Sequence, residues 1–152
     1  MAAYLLVPGP RYLIPLGTLD PRQAAPLSDA GLISYHAVKR SLHLLGPGST
    51  VVVMGAGGLG QMTIQILRAL TTATTVVAVD TDAGKLESAK RMGADEARPS
   101  GDEAIKRIKD LTGSRALSRC WTWSASTRLC GWPLRWPGCP GSPPLTGAPS
   151  PN

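Results

Sequence analysis

The chain has 152 residues, enough for one ordinary domain with a buried core, and a formal net charge of +6. That charge is unevenly distributed along the sequence. Through Gly113 there are twelve Lys and Arg against ten Asp and Glu, a balance of +2, and the remaining residues add four Arg and no acid. Because the basic excess belongs to one segment, the composition does not favour a nucleic-acid-binding protein.

Other protein classes are excluded by local patterns. The opening residues MAAYLLVPGP contain no basic residue and their apolar run is broken at Pro8, so no secretory signal is expected. No run approaches the roughly 20 apolar residues of a membrane helix. The three Cys follow the spacing C-x9-C-x8-C, which matches neither a disulfide framework nor a zinc site. The sequence therefore predicts a cytoplasmic protein without a membrane partner.

The first 45 residues change from an extended to a helical pattern. Residues 4–16 alternate apolar residues with Pro and Gly, which predicts short extended pieces. Residues 21–45 have helical periodicity, with Ser28 as the expected N-cap, and Gly46 begins the run that ends the helix. Asp29, Leu32, Ile33, His36 and Ala37 fall at the i, i+3 and i+4 spacings of a helix.

Three strand–helix units follow. The predicted strands are residues 50–54, 75–79 and 96–98, and the predicted helices are residues 59–70, 83–92 and 102–111. The first two strands are apolar and rich in Val, as strands buried on both faces are. The first helix of the series is expected to bury Leu59, Met62, Ile66 and Leu70. This alternation predicts an α/β fold, the first half of a Rossmann-type doubly wound parallel sheet, incomplete in this chain.

A glycine-rich motif lies between the first strand and its helix. Gly55, Gly57 and Gly60 form G-x-G-x-x-G directly after a buried strand, the context in which this motif binds a dinucleotide. The first glycine permits the tight turn, the second leaves room for a pyrophosphate, and the third allows close helix–strand packing. Gly58 and Leu59 begin the helix, where free N–H groups favour phosphates. The alternative is a tight turn without a ligand.

Asp80 completes the predicted site. It ends the second strand, twenty residues after Gly60, where a carboxylate accepts hydrogen bonds from the adenosine ribose. A carboxylate there repels a 2′-phosphate, and the next residues, Thr81 and Asp82, include no Arg to bind one. The predicted cofactor is therefore NAD rather than NADP. Lys85 is a further candidate for the ribose, with a solvated surface lysine as the alternative.

Three stretches together resemble the zinc-containing medium-chain alcohol dehydrogenase family. They are AAPLSDAGLISYHAV, GPGSTVVVMGAGGLGQMTIQILRAL and VVAVDTDAGKLESAKRMGAD, and the resemblance covers residues 1 to about 113. It implies an NAD-dependent oxidoreductase acting on alcohols, aldehydes or ketones. It divides the chain into the end of a catalytic domain with its connecting helix (1–45), an NAD-binding half-domain (46–113) and a remainder (114–152).

The same resemblance implies a role for Asp29 and reveals departures from the family. Asp29 occupies the position of a ligand of the catalytic zinc, although an acidic residue near a helix start is the alternative interpretation. The family's G-H-E motif, which carries another ligand, does not occur in this sequence. Ile33 stands where the family usually has a Thr beside the nicotinamide. A catalytic zinc needs about three protein ligands, so zinc binding and catalytic residues are not expected in this chain.

Residues 114–152 follow neither a helical nor a strand pattern. All four Trp and all three Cys lie there, and Arg, Trp, Cys, Pro and Ser are what GC-rich codons give out of frame. With such codons, the run from Arg119 shifted by one base reads V-L-D-L-V-G, the fourth strand expected of the family. We therefore predict a frameshifted, disordered tail that adds no native contacts, leaving the first strand at an exposed edge. A divergent C-terminus is the alternative.

These observations predict a truncated zinc-type alcohol dehydrogenase that is inactive alone and whose predicted partner is NAD. A stand-alone NAD-binding module and a non-functional pseudogene product are the alternatives. The substrate is not indicated, because the residues that shape a substrate pocket lie mostly in the missing domain.

Overall fold

A computed structural model describes residues 4–72, 74–112 and 119–123 of the chain. Four parallel strands form one sheet in the order β3-β2-β1-β4. The strands are β1 (Thr50–Met54), β2 (Thr75–Asp80), β3 (Glu96–Pro99) and β4 (Arg119–Thr122). The helices are α1 (Pro21–Ala24), α2 (Ala30–Lys39), α3 (Gly58–Leu70), α4 (Ala83–Arg91) and α5 (Asp102–Thr112). The α/β, Rossmann-type parallel sheet predicted from the sequence is thereby confirmed.

The core lies on both faces of the sheet, because successive strand residues point to opposite sides. On one face, Val51 and Val53 pack with Ile64 and Leu67 of α3. On the other face, Val52 and Val77 pack with Ile108 of α5. Both central strands are therefore buried on both faces, as their uninterrupted apolar sequences predict.

The buried residues of α2 and α3 are not those that define the predicted periodicity of these helices. In α3 the buried residues are Gly60, Thr63, Ile64 and Leu67, while Leu70 is 43% exposed. Apolar residues surround this helix, and the close approach of Gly60 to the turn after β1 decides which side faces the sheet. In α2 the buried residues are Gly31, Ser34 and Val38, whereas Leu32, Ile33 and His36 are exposed. The predicted cap is also wrong, since Asp29 precedes α2 and Ser28 ends a 3-10 turn.

The expectation that β1 is an edge strand is wrong. β4 pairs with it in parallel register, from Val51 opposite Arg119 to Met54 opposite Thr122. Trp121 and Cys120 are buried against the two core clusters. Residues 119–123 therefore add native contacts, in contrast to the predicted tail. The rest of that predicted tail, residues 114–118 and 124–152, lies outside the described residues.

One side chain joins α3 to β2 and to the turn after α4. The Arg68 guanidinium donates to the carbonyl oxygens of Gly93 and Thr74, at 2.5 and 3.0 Å, and pairs with Asp95. Asp95 in turn accepts the backbone N–H of Val76, at 2.7 Å. These contacts tie the beginning of β2 to α3 and to the segment that leads into β3. Within the described part of the chain, no helix is long and apolar enough to cross a membrane.

Candidate nucleotide-binding site

The turn between β1 and α3 needs glycine at its first and last motif positions. Gly55 has φ +93°, in the left-handed region that favours glycine, and its N–H donates to the Val79 carbonyl at 2.8 Å. A Cβ added to Gly60 would lie 1.9 Å from the carbonyl oxygen of Gly55. The turn can therefore return this close to β1 only with hydrogen at position 60.

The middle glycines face open space. A Cβ added to Gly57 or Gly58 meets no atom within 4 Å, so steric contact within the described chain does not require glycine there. Gly57 is the N-cap of α3 and offers no side chain to its first turn. The first N–H groups of a helix have no intrahelical acceptor. Residues 57–59 thus present backbone donors at the positive end of a 13-residue helix.

Asp80 lies at the carboxyl end of β2, beside this turn, and is only 4% exposed. Its Oδ2 accepts the N–H of Ala56 at 2.7 Å, and its Oδ1 accepts the N–H groups of Thr81 and Asp82 at 2.7 and 3.0 Å. Burial alone would raise the pKa of the carboxyl, but these donors, together with Lys85, lower it below its ordinary value. The group is therefore a preorganised anion and an acceptor at the edge of the turn.

Lys85 approaches the same region from the first turn of α4. Its backbone N–H is capped by Asp82 Oδ1 at 2.9 Å, and its side chain is exposed. Its positive charge contributes to the lowered pKa of Asp80. The geometry is compatible with both interpretations of this residue, a ribose contact and a solvated lysine.

Two side chains near the turn were missed by the sequence reasoning. Gln61 donates from Nε2 to the Ala56 carbonyl at 3.0 Å, and Ser34 of α2 donates to the Leu59 carbonyl at 3.1 Å. A polar residue on a helix gives no periodic signal, so Gln61 was detectable only by its place directly after the third glycine. Ser34 was missed because it is not among the residues that show the helical spacing of α2.

The β4 side of β1 has a different chemistry. The Cys120 thiol donates to the Met54 sulfur at 3.5 Å. The backbone N–H of Trp123 continues the ladder by donating to the Met54 carbonyl at 2.8 Å. The indole Nε1 of Trp123 is buried and, among the described residues, has no hydrogen-bond partner. This side consists of sulfur and aromatic surface, whereas backbone donors and a carboxylate surround the β2 side.

The predicted metal position is isolated. Asp29 is exposed directly before α2, and its side chain caps no N–H of that helix. Within residues 4–72, 74–112 and 119–123, no three His, Cys, Asp or Glu are grouped so as to hold a metal ion. The described residues therefore do not fit a zinc centre. Ile33, the position expected beside the nicotinamide, is 45% exposed on α2.

A glycine turn after β1 and a buried carboxylate at the end of β2 define a Rossmann-type dinucleotide-binding fold. Residues 58–122 match the family described as zinc-binding dehydrogenase. An NAD-dependent alcohol dehydrogenase from Sulfurisphaera tokodaii is 42% identical over 113 residues, covering 73% of this chain and 32% of that protein. A D-arabinose 1-dehydrogenase (NADP(+)) from Saccharolobus solfataricus is 39% identical over 115 residues, 73% of this chain and 33% of that protein.

Solved structures agree with these relatives. The D-arabinose dehydrogenase from Sulfolobus solfataricus superposes with a TM-score of 0.73 at 34% identity, covering 78% of this chain and 37% of that one. The alcohol dehydrogenase from Aeropyrum pernix gives 0.66 at 34% identity, covering 72% and 33%. The chain belongs to the zinc-dependent medium-chain alcohol dehydrogenase family. It spans about a third of the length of the curated relatives that it matches.

Proposed function

We propose that this chain is the NAD-binding region of an alcohol-dehydrogenase-type oxidoreductase and that it is catalytically inactive by itself. One observation carries the proposal: the backbone N–H groups of residues 57–59, which no side chain among the described residues caps, lie beside the buried carboxylate of Asp80. The turn can receive a pyrophosphate and the carboxylate a ribose, which are the two groups that every adenine dinucleotide presents side by side.

The choice of NAD over NADP rests on the charge of Asp80. A 2′-phosphate bound at the ribose would lie close to a carboxylate whose lowered pKa keeps it ionised at neutral pH. Lys85 is the cation that could offset this repulsion, and one relative of this chain carries NADP in its name. The relative affinity for the two dinucleotides is therefore the sharpest property to measure.

The proposed inactivity rests on the missing catalytic groups. When bound, NAD supplies the nicotinamide that exchanges a hydride with an alcohol or carbonyl carbon. The described residues would hold the adenosine half of that cofactor, but Asp29 alone cannot hold a catalytic zinc. The matched segment makes up about a third of each relative, so an alcohol dehydrogenase reaction belongs to such a longer protein.

The proposed frameshift concerns the residues that fill β4. The family match runs through Thr122, and β4 pairs with β1, so the strand position is retained. Arg, Cys, Trp and Thr fill it, and the buried indole nitrogen of the next residue, Trp123, has no hydrogen-bond partner in the described part of the chain. This supports the interpretation that the segment did not evolve for this position. The nucleotide sequence around codon 114 tests this. Independent genomic sequence in which the reading frame does not shift at this codon contradicts the proposed frameshift.

Calorimetric titration with NAD and NADP tests the proposed function. We expect NAD to bind more tightly, and we expect Asp80→Asn to bring the two affinities together. Asp82→Asn is the matched control, because it removes the same charge two residues away and keeps a good helix cap. Equal or tighter NADP binding by the wild-type chain contradicts the cofactor assignment. One tightly bound zinc in metal analysis, lost in Asp29→Ala, contradicts the proposed inactivity.

A further inference from the structure

The peptide groups of Ala56 are held from both sides. Ala56 is fully buried at the centre of the glycine turn. Its N–H donates to Asp80 Oδ2 at 2.7 Å, and its carbonyl accepts from Gln61 Nε2 at 3.0 Å. One bond comes from the end of β2 and the other from the first turn of α3. The turn is therefore fastened to two different elements through one residue.

The bond from Gln61 also sets the direction of the next donor. The Ala56 carbonyl and the Gly57 N–H belong to one planar trans peptide, in which the two groups point in opposite directions. When Gln61 holds the carbonyl, the Gly57 N–H must point away from Gln61. Because a carbonyl oxygen only accepts, the Gln61 amide must present its nitrogen to it.

The Gly57 N–H is available to a ligand. Within the described chain it bonds to no acceptor, although the Gly57 carbonyl accepts the Gln61 N–H at 2.8 Å. A Cβ added to Gly57 meets nothing within 4 Å, so space for a ligand lies beside this donor. An oriented N–H next to open space at a helix start is suited to a phosphate oxygen.

We propose that Gln61 is a positioning residue for the phosphate-binding turn. By holding the Ala56 carbonyl, it aims the Gly57 N–H at the pyrophosphate before the ligand arrives. This inference rests on the proposed binding of NAD. Gln61 is expected to affect the binding of the phosphates and not that of the adenosine, because Asp80 holds the N–H of Ala56 by a separate hydrogen bond.

NMR titrations with ADP and with adenosine separate these contributions. Gln61→Met keeps the length and helix propensity of the side chain and removes the amide donor. We expect about a twofold to tenfold weaker affinity for ADP, the effect of one hydrogen bond, and an unchanged affinity for adenosine. Gln65→Met is the matched control, because Gln65 lies one turn further on α3, is exposed, and donates to a carbonyl within its own helix, that of Gln61 at 3.3 Å. It should change neither affinity.

The outcomes distinguish the two proposals. Failure of the wild-type chain to bind ADP overturns the proposed function. Binding of ADP that Gln61→Met leaves unchanged, or that it weakens together with adenosine binding, overturns the role of Gln61. The wild-type chain supplies a second measurement that needs no variant. The side-chain amide protons of Gln61 should exchange with water more slowly than those of Gln65, and equal rates also overturn the proposal.

Discussion

β1 has two neighbours in the sheet, and they contribute differently to the molecule. On the β2 side, the Asp80 carboxylate accepts three backbone N–H groups. One belongs to Ala56 in the glycine turn, and two belong to the residues that follow Asp80. On the β4 side, Met54, Cys120 and Trp123 meet through sulfur and indole surface, and one indole nitrogen has no partner among the described residues.

This difference separates binding chemistry from burial. The β2 side positions donors and a charge for a ligand, and backbone N–H groups hold the Asp80 carboxylate in place. The β4 side completes the backbone ladder along β1 and adds apolar side chains to both core clusters. A backbone ladder can be supplied by almost any residue other than Pro, whereas building a site requires particular atoms at particular distances. An altered segment can therefore fill the first role without the second.

The largest expected effect comes from removing the β4 side. A chain ending at Gly113 loses β4, the burial of Trp121 and the ladder along β1. We expect the free energy of unfolding to fall by about 3–5 kcal/mol, the range found when a buried Trp is lost. Urea denaturation followed by circular dichroism measures it. An unchanged midpoint would restore the expectation from sequence that this segment adds no native contacts.

Replacing residues 119–124 by V-L-D-L-V-G is the companion to this truncation. If the present residues only cover β1, an apolar strand from the family should cover it better and raise the urea midpoint above that of the wild type. A lower midpoint indicates that the Trp-bearing strand has its own specific packing, and the contrast between the two sides of β1 is then weaker than described.

A smaller effect is expected at the turn. Gly60→Ala places a Cβ 1.9 Å from the Gly55 carbonyl oxygen, where the backbone must move. We expect a loss of about 3 kcal/mol, the upper range for overpacking. Gly58→Ala, two residues earlier on the same helix, meets open space and should change stability by no more than about 1 kcal/mol, in the stabilising direction. Similar thermal midpoints for the two variants contradict the close contact.

The smallest effect concerns acid stability on the β2 side. The folded pKa of Asp80 lies below its ordinary value of 3.8, so its contribution is complete above that value and is lost as the pH falls through the folded pKa. Wild-type stability should therefore drop below about pH 4, and Asp80→Asn should lose less stability over that interval. Urea midpoints measured from pH 6 to pH 2 check this.

Glu96 provides the comparison for this acid titration. Its pKa is also lowered, first by the hydrogen bond from Arg107. The ion pairs of Glu96 with Arg98 and Arg107, however, lie at an exposed edge. Added salt should therefore reduce the contribution of Glu96 and leave that of Asp80 nearly intact. An Asp80 contribution that disappears in salt contradicts the buried, backbone-bonded carboxylate.

The elements of the β2 side could be predicted because local chemistry specifies them. β1 begins and ends at the predicted residues, and the glycine turn, β2 and α4 lie within a residue or two of expectation. The roles of Gly55 and Gly60 also followed from the motif, since a left-handed turn and a close approach both demand a residue without Cβ.

The remaining features depend on contacts distant in sequence. α3 carries apolar residues on both sides, so periodicity alone could not show that Ile64 rather than Ile66 would be fully buried. β4 has no pattern of its own and is a strand because the edge of β1 is available to it. The contact between Gln61 and Ala56 depends on the path of the turn, which only the folded chain shows.

The backbone hydrogen bonds of the Asp80 carboxylate also limit how many hydrogen bonds it can accept from a ligand. A carboxylate has about four lone-pair positions, and backbone donors already use three of them here. A molecule that offers two adjacent hydroxyl groups finds one vacant position, so its second hydroxyl must displace a backbone N–H or turn to another acceptor. Rigidity of the empty turn and affinity for a diol are therefore competing demands on a single side chain.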